Sequence, residues 1–336
     1  MLYVTTRDNK DAHTAYRTLC SATGPDGGLY IPFRPVKFSY EDILTLKDNS
    51  FSKCVADVLN LFFSARLDAW DVECCIGRYP VKLVPMSHKI IVAETWNNPD
   101  WDLSRAVRNL RSRILGSADT NGCPTGWTWI AVRIAVLFGL FGEMFRAGSI
   151  NPRKRIDLAV SAGDFTAPMA AWYAREMGLP IGRIIFACDG YNTIWDLLHH
   201  GEIQTGPEIT PADLERLIYA KLGADESLRY VNTASTGMLY TISDEQAEAL
   251  SEGLFCAVVS RKRVESVIRS IYRTNTYLLS PNSALAYGGL QDYRATNNET
   301  GYAMILTEQG PLTATDTVAK AIGITQDELR ARIHMV

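Results

Sequence analysis

The segment best suited to chemistry is Ser161-Ala162-Gly163-Asp164-Phe165-Thr166, a glycine turn between an apolar strand pattern at 156–160 and a helical pattern from about 168 to 177. Free N–H groups and the helix dipole converge at such a turn, so it can hold a phosphate. A single glycine is a weak signal, and Asp164 has a structural reading as the cap of the following helix. His199 and His200 end a helical pattern before Gly201, where the dipole favours a surface imidazolium pair over a metal site. The seven cysteines (20, 54, 74, 75, 123, 188 and 256) show no CxxC spacing and read as free thiols in a reducing compartment. No Gly-x-Ser-x-Gly elbow is present.

The elements that position these residues follow from pattern. Strand-like runs at 89–94, 156–160, 183–188 and 303–307 are short, mostly apolar and separated by helical patterns. That alternation predicts an α/β fold with a mostly parallel sheet flanked by helices. Thr210-Pro211-Ala212-Asp213, Ser243 with Gln246, and Thr325 with Glu328 mark helix starts, and 39–46 reads as another short helix. The stretch 116–126, rich in Gly, Ser, Asn and Thr, reads as an exposed loop between two halves.

Composition removes several classes of function. With 336 residues, 47% hydrophobic and 21% charged, the chain is ordinary globular material. Net charge is −3 and the densest basic run is Arg153-Lys154-Arg155, so no nucleic-acid partner is expected. Arg133 and Glu143 interrupt the apolar stretch 129–145, which reads as a buried helix rather than a membrane span of about 20 residues. The first residues show no export signal, and a cytoplasmic location is expected.

Taken in order, several segments resemble the threonine synthase family of fold-type II pyridoxal-phosphate enzymes. They are Tyr3-Val-Thr-Thr-Arg7, Asp26-Gly-Gly-Leu-Tyr-Ile-Pro32, the turn and helix from Ser161 to Pro180, and Tyr277-Leu-Leu-Ser-Pro-Asn-Ser-Ala-Leu-Ala-Tyr287. The resemblance implies a family-like N-terminal segment at 1–80 and an α/β core at 81–336, like the large domain of those enzymes. It also implies a phosphate loop at Ala162, Gly163, Asp164, Phe165 and Thr166, and Thr307 facing the pyridine side of the cofactor.

The departures from the family are as informative. Its His-Gly-Pro-Thr-x-x-Phe-Lys-Asp segment aligns with residues 94–105, Pro99 fixing a register that puts Ser104 at the lysine position. A hydroxyl forms no imine with an aldehyde, so anchor and proton shuttle are both lost. Lys82 and Lys89 lie outside the motif and read as surface residues. The smaller inserted domain, with its Ser-Gly-Asp-Thr-Gly loop, is expected to be lost near 116–126, and with it the cover that excludes water. Where the family has Gly-Asn-Phe-Gly, this chain has Gly163-Asp164-Phe165-Thr166. A carboxylate about 4 Å from one phosphate charge costs on the order of 4 kcal/mol, roughly a thousandfold in affinity.

The expectation is a non-catalytic relative, with pyridoxal phosphate lost and no metal, that binds a small ligand or a partner. One version is self-association through Trp96, Trp101, Trp127 and Trp129, which cluster around the missing domain and otherwise serve as packing. An enzyme with new chemistry around Asp102, Ser104 and Asp164 is the alternative. Residual pyridoxal-phosphate activity of the threonine synthase or lyase type is a further one.

Overall fold

The computed structural model describes all residues except 78–80, 97–102, 117–125, 164, 191–192, 207–212 and 335–336. Three short strands open the chain, β1 (Leu2–Thr5), β2 (His13–Thr14) and β3 (Tyr30–Pro32), pairing antiparallel in the order β2-β1-β3. The main sheet is built from β4 (Lys82–Met86), β5 (Ile90–Glu94), β6 (Ile156–Ser161) and β7 (Ile181–Cys188). A small hairpin-like pair follows, β8 (Glu202–Gln204) with β9 (Leu239–Thr241). The last two main-sheet strands are β10 (Leu254–Val258) and β11 (Ala303–Thr307). The order is β10-β7-β6-β11-β5-β4, parallel throughout except for β4 against β5.

Alternation along the central strands explains their apolar composition. Ile91 and Ala93 of β5, with Met304 and Leu306 of β11, join the core packed under the helices Phe51–Phe63, Trp127–Arg146 and Thr166–Glu176. Ile90, Val92, Ala303 and Ile305 face the other way, onto Arg261–Asn275, Pro281–Asn297 and Thr315–Ile322. A strand covered on both faces is apolar along most of its length. All four sequence-predicted strands are present. Lys89 lies outside the first of them because, with His88, it takes the left-handed conformation of the β4–β5 turn.

Trp127–Arg146 is the one helix among the described residues long and apolar enough to cross a membrane, and 83% of its most apolar window is buried here. Two glycines let it approach its neighbours. A Cβ on Gly139 would sit 2.6 Å from Phe51 Cδ2, and one on Gly142 would sit 2.9 Å from the Leu46 carbonyl oxygen. The capping boxes of Ser243 with Gln246 and of Thr325 with Glu328 both form. The Thr210 cap lies outside the described residues, although its helix, Leu214–Leu222, ends at Gly223 as expected.

The N-terminal segment shares the main core. Tyr3 donates its hydroxyl to the Phe62 carbonyl (2.7 Å) and accepts from the Trp127 indole N–H (3.1 Å). Thr6 and Arg7 of the opening motif both bond Glu215, and Thr5 Oγ1 donates to Asp26 Oδ2 at 2.6 Å. These motif residues dock the segment onto the Leu214–Leu222 helix.

Candidate functional site

The carboxyl ends of the parallel strands are where α/β sheets hold ligands, and the predicted loop residues lie there. Ala162 is buried and donates its N–H to the Ala187 carbonyl at 2.8 Å. Gly163 (φ +48°) and Phe165 (φ +68°) both take left-handed conformations. For a phenylalanine this costs about 1–2 kcal/mol. It is held there because its fully buried ring packs edge-on to Phe186, centroids 5.2 Å apart. Thr166 opens the helix Thr166–Glu176, whose cap position is Phe165 with no side-chain cap bond. Asp164 lies outside the described residues.

The other predicted positions are spread around this edge. Ser104 is half-buried in the first turn of the helix Leu103–Leu115. Thr307 closes β11, buried, with Oγ1 donating to the Ala93 carbonyl at 3.0 Å. Its own carbonyl accepts from both Thr95 N and Thr95 Oγ1 at 3.0 Å, so it stitches β5 to β11. The tryptophan surface is corrected by the structure. Trp127 is wholly buried against Tyr3, Phe62 and Tyr173. Positions 127 and 129 are about 200° apart on a helix and cannot share a face. Trp129 is half-buried beneath the Arg133 guanidinium. Trp96 packs on Gly310, where a Cβ would meet its ring at 2.7 Å. Trp101 and Asp102 lie outside the described residues.

Between these positions the strand ends are crossed by side-chain pairs that the sequence analysis did not anticipate. Arg133, from the core helix, makes a two-pronged ion pair with Glu308 just past β11, Nε to Oε1 at 3.0 Å and Nη2 to Oε2 at 3.2 Å. Asn282 Nδ2 donates to Gln309 Oε1 at 2.9 Å. On the outer side of β5, the Tyr277 hydroxyl donates to Glu94 Oε1. Glu94 is 1% exposed and its Oε2 has no hydrogen-bond partner among the described residues. Burial pushes its carboxyl above the usual range, opposed by the Tyr277 bond and by Lys82, its cross-strand neighbour. Burial and the adjacent Glu94 in turn push the Tyr277 phenol up. One signal for these pairs was legible: an arginine inside an apolar helix must find an anion.

The cavity bounded by Ser161, Ala167, Asn282, Ser283, Glu308 and Gln309 measures about 40 Å³, space for a few waters. Arg133, the cation beside it among the described residues, is engaged by Glu308. No lysine occurs between Lys89 and Lys154. Lys89 is at the opposite end of β5, its ammonium 5.9 Å from the Tyr302 ring centroid. Lys82 is at the correct end but on the outer strand, three inter-strand spacings or roughly 14 Å from β6. No group of three or more His, Cys, Asp or Glu side chains that could hold a metal occurs among the described residues.

This sheet, its helical layers and the turn after β6 define an α/β protein with a mostly parallel sheet. The family model for the threonine synthase N terminus matches residues 2–79. Human threonine synthase-like 1 is 23% identical over 187 residues, 52% of this chain and 25% of that one. Threonine synthase-like 2 of Pongo abelii is 22% identical over 177 residues, 48% of this chain and 36% of that one. The chain thus spans a quarter to about a third of the length of these curated relatives. The structure of PLP-bound threonine synthase from Brucella melitensis superposes with a TM-score of 0.83 at 17% identity, covering 96% of this chain and 92% of that chain. The yeast threonine synthase structure gives a TM-score of 0.77 at 15% identity, covering 96% and 90%. Over residues 2–79 the chain matches the threonine synthase N-terminal family, and its fold is that of the threonine synthase structures.

Proposed function

We propose that this chain is a threonine-synthase-like protein without pyridoxal-phosphate chemistry, acting by binding a small ligand or a partner. The observation that supports this best is the carboxyl end of the sheet, where Arg133–Glu308 and Asn282–Gln309 cross the cleft, with no lysine in the sequence between Lys89 and Lys154. A cofactor phosphate would have to break the Arg133 pair and displace Glu308, and its aldehyde would find no amine. Loss of the smaller domain belongs to the same reading. Only residues 116–126 separate the helix Leu103–Leu115 from Trp127–Arg146, too few for an α/β unit. The match to 92% of the Brucella chain bounds how much else of the family outline can be absent. Self-association through the tryptophans rests on Trp96 and Trp129, since Trp127 is in the core. A cytoplasmic location fits the free cysteines of the described residues.

Thermal melting of the purified chain with increasing pyridoxal phosphate tests this reading. A ligand that binds the folded state raises Tm by mass action. No shift is expected, and a saturable rise would count against the proposal. One observation favours a second reading, an enzyme with cofactor-independent chemistry. Glu94, buried with a raised pKa, a phenol on one oxygen and the other oxygen unpartnered, has the character of a general acid. That reading moves the acid from Asp102 and Asp164 to Glu94. It requires substrate turnover that disappears in Glu94→Gln.

A further inference from the structure

The amino end of the same sheet holds a cleft of about 670 Å³, within the range of small-molecule sites. Three arginines from separate elements line it: Arg155 just before β6, Arg175 from the helix Thr166–Glu176, and Arg183 on β7. Arg175 pairs with Glu176 at 3.2 Å. Its guanidinium lies across Gly253, where a Cβ would come within 1.7 Å of Nη1. Arg183 shares the cleft wall with Tyr293. Among the described residues neither Arg155 nor Arg183 has a carboxylate within ion-pair distance.

The same cleft carries carboxylates. Asp157, half-buried on β6, takes the Arg183 backbone N–H on Oδ1 at 2.8 Å. It is accommodated by Gly182, where a Cβ would stand 2.6 Å from that oxygen. Burial raises its pKa above the usual carboxylate range. Glu176, Glu252 and Glu299 are exposed around it. Four carboxylates against three guanidinium groups oppose a dianion such as phosphate, and the arginines oppose a simple cation. A molecule with both charges meets both sets.

We infer that this cleft binds a small zwitterion of the amino-acid class. The carboxylate is taken by Arg155 and Arg183 and the ammonium by the acidic side of Asp157 and its neighbours. Guanidinium groups with no protein counter-ion suit a two-pronged carboxylate contact. The site lies at the opposite end of β6 from the crossed cleft and does not depend on the loss of cofactor chemistry.

Calorimetry on the full chain tests it, using a panel of free α-amino acids with inorganic phosphate and a diamine as single-charge controls. At least one amino acid should saturate in the millimolar range or tighter. That affinity should fall tenfold or more in Arg155→Gln and in Arg183→Gln, and neither control should bind. Arg155 is exposed, so its variant stays folded and keeps the test valid if Arg183→Gln does not fold. No binding by any amino acid, equal binding of phosphate, or binding unchanged in Arg155→Gln would overturn the inference. Binding lost in Arg133→Ala but kept in Arg155→Gln would put the ligand at the other end of the sheet, also overturning it.

Discussion

The two ends of the central sheet are built on the same strands and have opposite characters. At the carboxyl end, polar side chains of the described residues satisfy one another: Arg133 with Glu308, Asn282 with Gln309, Thr307 with the Ala93 carbonyl, around a cavity of about 40 Å³. At the amino end, Arg155 and Arg183 have no carboxylate at ion-pair distance among the described residues, and the cleft is about 670 Å³. A group that is already paired offers a ligand only an exchange of partners, whereas an unpaired charge offers a new interaction.

Breaking the carboxyl end should cost stability. Arg133→Ala strands Glu308, half-buried, and removes the cation above Trp129. Unfolding in denaturant should show a loss of about 2 kcal/mol, below the 3–5 of a wholly buried pair because Glu308 keeps some water. Tyr277→Phe leaves both oxygens of buried Glu94 without a described partner, and a loss of about 1–2 kcal/mol is expected by the same measurement.

Glu94 also sets a pH dependence. Its folded-state pKa lies above the ordinary value of 4.5 because of burial. Between the two values the folded chain holds a proton that the unfolded chain has released, so stability from this group falls as pH rises through that interval. Glu94→Gln should flatten the slope above pH 4.5 and be at least as stable as the parent at pH 8. A melting series from pH 4 to 8 checks it. At the amino end, Arg155→Gln should leave stability within about 0.5 kcal/mol while weakening amino-acid binding. A large stability loss there would mean that Arg155 is structural, and the contrast between the ends would fail.

The difference in character between the ends bears on what could be read in advance. The central strands β5, β6, β7 and β11 were legible because burial on both faces leaves uninterrupted apolar runs. β4 was not, since Pro85 argues against a strand and is tolerated only because β4 is an edge. The turn from Ser161 to Thr166 was legible as strand, glycine and helix. The tryptophans misled because their closeness in sequence hid their helical phase. The pairs that cross the cleft join residues far apart in the chain, 175 positions for Arg133 and Glu308 and 183 for Glu94 and Tyr277. No local pattern reports such a pairing; it follows from the strand order.

The central claim is tested most directly by titrating the purified chain with pyridoxal phosphate, recording absorbance, and then adding borohydride. The account predicts no new band, no saturation and no residue carrying a reduced pyridoxyl group. A saturable band that borohydride fixes to a lysine would contradict it, and Lys82, across the ladder from Glu94 at the carboxyl edge, is where the adduct would be sought first.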